Sequence, residues 1–236
     1  MDRKKHSILR YVIFTIFFIT YFIYFKFYNN NSVENTIESI YTLIVGGGIG
    51  VSFVIPIYMY GLIGKTKKFF NIHTFIRFKS YDAWWRTLLI RTFFHSIEFI
   101  VLLNTVYILA AQIGSRYNID CDLIEEMFKL SIMQILILTF IGLIIQFCGF
   151  LWEKKYISFL IVYCPILLQY GVVRLFRLPN TFTIVDMIFC NPSLLSTEYL
   201  FKYLLTYTSL IVCIYFVVNL IIAKKDILWG NINEKN

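Results

Sequence analysis

Six apolar runs dominate the chain: Ile8 to about Phe27, Ile40 to Ile63, Leu88 to Ala111, Leu130 to Leu151, Ile157 to Val173 and Tyr203 to Ala223. A hydrocarbon core about 30 Å thick is crossed by a helix of roughly 17 to 25 residues, so each run is long enough to span it. Spans of that size use about 120 residues in all. The chain has 236 residues, 58% of them hydrophobic and only 15% charged, whereas soluble domains carry about 25% charged residues. The spans nearly exhaust the apolar supply, which leaves no material for a second core. The expected fold is therefore an all-α membrane protein: one transmembrane domain over residues 1–236, with six transmembrane helices.

Lys and Arg number 22 against 14 Asp and Glu, a formal charge of +8. In a membrane chain such an excess reports orientation, because basic residues stay on the cytoplasmic side; it is no argument for nucleic-acid binding. The start, Met1-Asp2-Arg3-Lys4-Lys5, followed by the run from Ile8, has the layout of a secretory signal. The run is longer than a signal core of roughly 7 to 15 residues, and Tyr28-Asn29-Asn30-Asn31 offers no small-residue cleavage pattern. It reads as a first anchor that stays attached. Alternation then places both termini, Gly64 to Thr87 and Trp152 to Tyr156 in the cytoplasm. Most basic residues fall there, including Lys65, Lys67, Lys68, Arg86, Lys154, Lys155, Lys224 and Lys225, while the other connections collect Glu34, Asp120, Asp122, Glu125 and Glu198. Trp84, Trp85, Trp152 and Trp229 sit at the same cytoplasmic boundary, as an interfacial aromatic belt requires.

Two connections are more than loops. Gly64 to Thr87 mixes basic and aromatic residues, which suits a helix lying at the cytoplasmic interface or a surface that receives a partner. Leu178 to Phe201 is apolar but broken by Pro179 and Asn191-Pro192, so short external helices or a re-entrant hairpin are expected. The two halves show no repeat.

Chemical motifs are sparse. Gly64-Lys65-Thr66 resembles the end of a phosphate-binding loop, but Met59 stands where the pattern needs glycine. Gly46-Gly47-Gly48-Ile49-Gly50 has the wrong spacing for a dinucleotide fingerprint; Gly46 and Gly50 form G-x-x-x-G, which lets helices approach closely or gives a flexible point in a pathway. Pro165 interrupts backbone bonding in the fifth run. Arg91, His95 and Glu98 share a helix face in the third run. A carboxylate at that depth costs about 2.5 to 3.5 kcal/mol unless paired or shielded, so a local pair with His95 or Arg91 is expected, or a role in a pathway. The chain has 3 histidines, none in H-E-x-x-H, and Glu125-Glu126 has no histidine near it in sequence. Ser52 follows Gly50-Val51 without the second glycine of a nucleophile elbow. No catalytic, cofactor or metal site is expected. Cys148, Cys164 and Cys213 fall in spans as small apolar residues; Cys121 and Cys190 both map outside, where a disulfide is permitted by compartment.

Six spans with both ends inside, a large cytoplasmic connection after span two and a broken external connection before span six resemble bacterial ABC transporter permeases of the type-2 membrane family. Ile76-Arg77-Phe78-Lys79-Ser80 followed by Trp84-Trp85-Arg86 resembles the cytoplasmic segment of small permeases from bacteriocin and peptide systems. The ending Ala223-Lys224-Lys225-Asp226-Ile227-Leu228 is similar as well. The resemblance implies a membrane subunit that binds no cofactor itself, a separate ATP-binding subunit supplying ATP and Mg, a second permease copy, and an amphipathic or antimicrobial peptide as cargo. Contact with the ATPase is then expected around Phe69, Phe75, Arg77, Trp84, Trp85 and Arg86. The alternative is a non-transporting immunity or assembly protein that binds a partner through its external surface.

Overall fold

The computed structural model describes residues 50–70, 78, 80–114, 121–152, 155–176, 184 and 197–233. A π-helical turn, Gly50–Val54, leads into helix α1, Ile55–Thr66, and a 3-10 turn, Lys67–Phe70. Four long helices follow: α2, Tyr81–Gly114; α3, Cys121–Trp152; α4, Lys155–Leu175; and α5, Thr197–Asn233. Among the described residues there is no β-strand. Four stretches, Tyr81–Val106, Ile124–Trp152, Tyr156–Leu175 and Leu200–Ile221, are long and apolar enough to cross a membrane. These match the third to sixth runs, and the chain is that of a membrane protein. The first run, Gly46, Phe75, Arg77 and Cys190 lie outside the described residues.

The second run is less regular than its hydropathy implies. Pro56 stands in the first turn of α1 but within a continuous helical stretch, where it has no N–H to give to a carbonyl of the preceding turn. The turn ahead of it is wound wider, as a π-helix. Pro165, by contrast, lies inside α4, which continues past it; it stands on an exposed face.

The third span begins earlier than expected. Ser80 caps α2: its hydroxyl accepts from the Ala83 N–H at 3.2 Å, and its carbonyl accepts from the Trp84 N–H at 3.2 Å. Asp82 adds an acid to the first turn, where the helix dipole favours it. Tyr81 to Thr87 therefore belong to α2 and not to a separate interfacial helix.

α3 is central, packing on α1, α2, α4 and α5. One core cluster joins Tyr58, Met59 and Leu62 of α1 to Phe99 and Leu103 of α2 and Ile137 and Ile141 of α3. A second lies at one end of the bundle, where Phe69, Trp84, Trp85, Leu88, Leu143 and Val218 meet. Trp84 meets Phe150 of α3 at 5.5 Å between ring centroids, and Asp82 accepts hydrogen bonds from Tyr215 and Asn219 of α5. The start of α2, the end of α3 and the later part of α5 thus share one end of the bundle.

Candidate functional site

Where α1 crosses α2 and α3, a polar seam runs through the apolar core. α1 and α2 are antiparallel, since Gly61 lies against His95 and Phe69 against Trp84. The Tyr58 hydroxyl donates to the Leu138 carbonyl at 2.7 Å and stands 2.9 Å from the Ser96 hydroxyl. Thr139 Oγ1 lies 3.1 Å from Ser96 Oγ. The His95 ring stacks on Tyr58 at 5.2 Å, with Nε2 3.3 Å from the Tyr58 carbonyl oxygen. Two turns further along α1, Gln146 Nε2 donates to Thr66 Oγ1 at 2.9 Å.

Glycine makes the crossing possible. A methyl group added at Gly142 would stand 2.7 Å from the Tyr58 hydroxyl and 2.9 Å from Leu62 Cδ2; at Gly61 it would stand 3.3 Å from the His95 ring. These two positions provide close helix approach, the role expected of Gly46 and Gly50. Gly50 opens the π-helical turn.

The hydroxyls of the seam have more acceptors than protons. Ser96 also reaches the Thr92 carbonyl at 3.0 Å, and Thr139 the Ile135 carbonyl at 2.6 Å. Tyr58, Ser96 and Thr139 each carry one hydroxyl proton. In one arrangement Ser96 and Thr139 each donate within their own helix. In the other, Thr139 donates to Ser96, Ser96 to Tyr58, and Tyr58 to the Leu138 carbonyl, which ties the three helices together. Neither arrangement strands a backbone carbonyl, because Thr92 and Ile135 lie inside helices that already use theirs.

Beside the seam, Lys65 of α1 donates to Glu98 Oε2 of α2 in an ion pair. His95 Nδ1 lies 4.0 Å from the same oxygen and has no hydrogen bond among the described residues. Of the two pairs expected within α2, His95 with Glu98 stands at 4.0 Å, the outer limit of an ion pair, whereas Arg91 lies over the Phe69 ring at 4.2 Å; the carboxylate's nearest partner, Lys65, comes from another helix. Helical side chains lean toward their own N-terminus. In antiparallel helices Lys65 and Glu98 lean toward each other from different levels, while Arg91 leans away from Glu98 toward Phe69.

The residues expected to contact an ATPase divide. Trp84 is 1% exposed and Trp85 0%, so these two rings are core and not free anchors. Trp84 Nε1 donates to the Phe69 carbonyl at 3.0 Å, and Phe69 is buried too. Arg86 is exposed. The cause is the early start of α2, which turns both tryptophans onto its interior face. Cys148 is buried, whereas Cys164 and Cys213 are exposed and free. Among the described residues no group of three or more His, Cys, Asp or Glu is placed to hold a metal ion.

No protein-family model, curated protein or solved structure matches the chain.

Proposed function

We propose that the chain is the permease subunit of a bacterial ABC exporter, moving a peptide or other amphipathic substrate with energy from a separate ATP-binding subunit. In this reading six spans cross the cell membrane, both termini are cytoplasmic, a second permease copy completes the pathway, and ATP and Mg belong to the partner. The observation that supports it is the polar, glycine-lined seam between α1, α2 and α3. A permease needs helices that can shift against one another, and at this joint close glycine contacts and a few hydroxyl hydrogen bonds replace a wholly apolar interface. The layout and the segments Ile76 to Ser80 and Trp84 to Arg86 point to the same class by resemblance. With Trp84 and Trp85 interior, the ATPase contact falls to exposed groups at that end, Lys67 and Arg86.

Reconstitution tests this. The full chain and its copurifying ATPase in liposomes should move a cognate peptide only with ATP. A chain that binds peptide and protects cells, with no ATP-dependent movement, overturns the exporter reading in favour of an immunity protein.

A further inference from the structure

The ring of His95 is held in one orientation. It stacks on Tyr58 and lies so close to Gly61 that a methyl group there would stand 3.3 Å from the ring atoms Cε1 and Nε2. Nε2 meets the Tyr58 carbonyl oxygen at 3.3 Å. A carbonyl only accepts, so this bond requires the ring proton on Nε2, and in a neutral imidazole Nδ1 is then a bare acceptor. Nδ1 lies 4.0 Å from Glu98 Oε2, and an ionised carboxylate oxygen is an acceptor as well. His95 is 2% exposed, and Nδ1 has no hydrogen bond among the described residues. Two acceptors therefore face each other with no proton between them.

We propose that His95 and Glu98 form a proton-binding site, in which one proton taken up from outside the protein is shared between Nδ1 and the carboxylate and releases Lys65. Entry is from the Glu98 side, which is 60% exposed even with Lys65 bound to it. An ionised carboxylate inside a span is costly, so neutralisation by a proton competes with neutralisation by Lys65. In the loaded site the carboxyl proton lies toward Nδ1, and the positive charge that uptake adds stays on the freed Lys65. That residue stands one position from the end of α1, where a lysine stem can carry its ammonium toward the interface. The ionisable groups facing the pair are Lys65 and Tyr58 of α1. Arg91, one turn before His95, lies over the Phe69 ring instead. α3 brings the Leu138 carbonyl and the Thr139 hydroxyl to the adjoining seam, and its residues 130–152 contain no Asp, Glu, Lys, Arg or His. The site stores a proton and does not conduct it: Nε2 ends on a backbone carbonyl, which has no proton to pass on, and the Tyr58 hydroxyl is bonded to Leu138.

The site consists of this chain's own side chains and does not rest on the exporter reading, so either can fail without the other. The test is nitrogen NMR of the full chain in lipid nanodiscs, with ring-labelled histidine. The chain has 3 histidines, and His6→Gln with His73→Gln leaves His95 as the one observed. The titration runs from about pH 8 to about pH 5, the range in which an imidazole normally changes charge. At the alkaline end Nε2 should carry the proton and Nδ1 should be bare; toward the acid end the Nδ1 resonance should move as a proton reaches it. In Glu98→Gln, whose amide can donate to Nδ1 at every pH, the resonance should start at its shifted position and stay there. Lys65→Met removes the competing positive charge, so the change should come about one pH unit higher or more. A proton on Nδ1 at the alkaline end, an unaltered site that shows no change across the range, or the same titration in Glu98→Gln overturns the proposal. The first two results come from the unaltered site, so a variant that fails to fold does not shield it.

Discussion

At the scale of single residues, the seam makes two energetic demands. Gly142→Ala forces a methyl group against Tyr58 and Leu62, and Tyr58 is held in place by Leu138 and Ser96. Overpacking of this kind costs about 1 to 3 kcal/mol, so a lower unfolding temperature in detergent is expected, with Gly171→Ala, where nothing lies within 4 Å, as the unaffected control. Tyr58→Phe and Ser96→Ala should show a coupling of about 0.6 kcal/mol in a double-mutant cycle, the usual size of a hydrogen bond between membrane helices. A coupling of zero would mean that both hydroxyls donate only within their own surroundings. These residues were hard to read from sequence for a physical reason. A hydroxyl in a span satisfies itself on the carbonyl four residues back, as Thr92, Thr105 and Thr206 do. Nothing in the sequence marks Ser96 and Thr139 as the ones that also reach another helix. Gly142 carries no signal in the sequence, because a lone glycine makes no motif, whereas Gly46 and Gly50 do.

At the scale of elements, hydropathy located α2 to α5 because crossing a bilayer is a demand on composition and length. It placed the start of α2 late, since Arg86 interrupts the run and Trp84 and Trp85 suit a membrane interface as well as a core. The cap was legible: Ser80 with Asp82 two residues on is a helix-start signal. Ser80→Ala should destabilise the chain by about 1 kcal/mol, while Ser80→Asp should restore it, both measured by thermal unfolding of the full chain. Equal stability of all three proteins would show that the tryptophan packing alone fixes this end. Glu98 illustrates the limit of reading one helix at a time. Its partner, Lys65, is 33 residues away in sequence and meets it only because α1 and α2 run antiparallel.

At the scale of the whole molecule, the bundle has two chemically different ends. Lys67, Trp84, Arg86 and Phe150 gather at one, and Lys155 follows directly from the end of α3 there. The helix ends at the other carry Asp122, Glu125 and Glu126 at the start of α3 and Glu198 at the start of α5, although Lys129, paired with Glu125, Arg174 and Lys202 are there too. Acidic residues contribute little to orientation, and short basic connections contribute most. The tryptophan end is therefore expected in the cytoplasm. In cells carrying the full chain without natural cysteines, an impermeant maleimide added outside should label Leu175→Cys and Phe176→Cys, both highly exposed at the end of α4. It should reach Lys67→Cys and Arg86→Cys only after the membrane is opened. External labelling of Lys67→Cys would invert the molecule. It would also remove the ATPase from the proposed scheme, because an ATP-binding subunit must meet its permease on the side where ATP is found, and the exposed basic groups left for that contact are at this end.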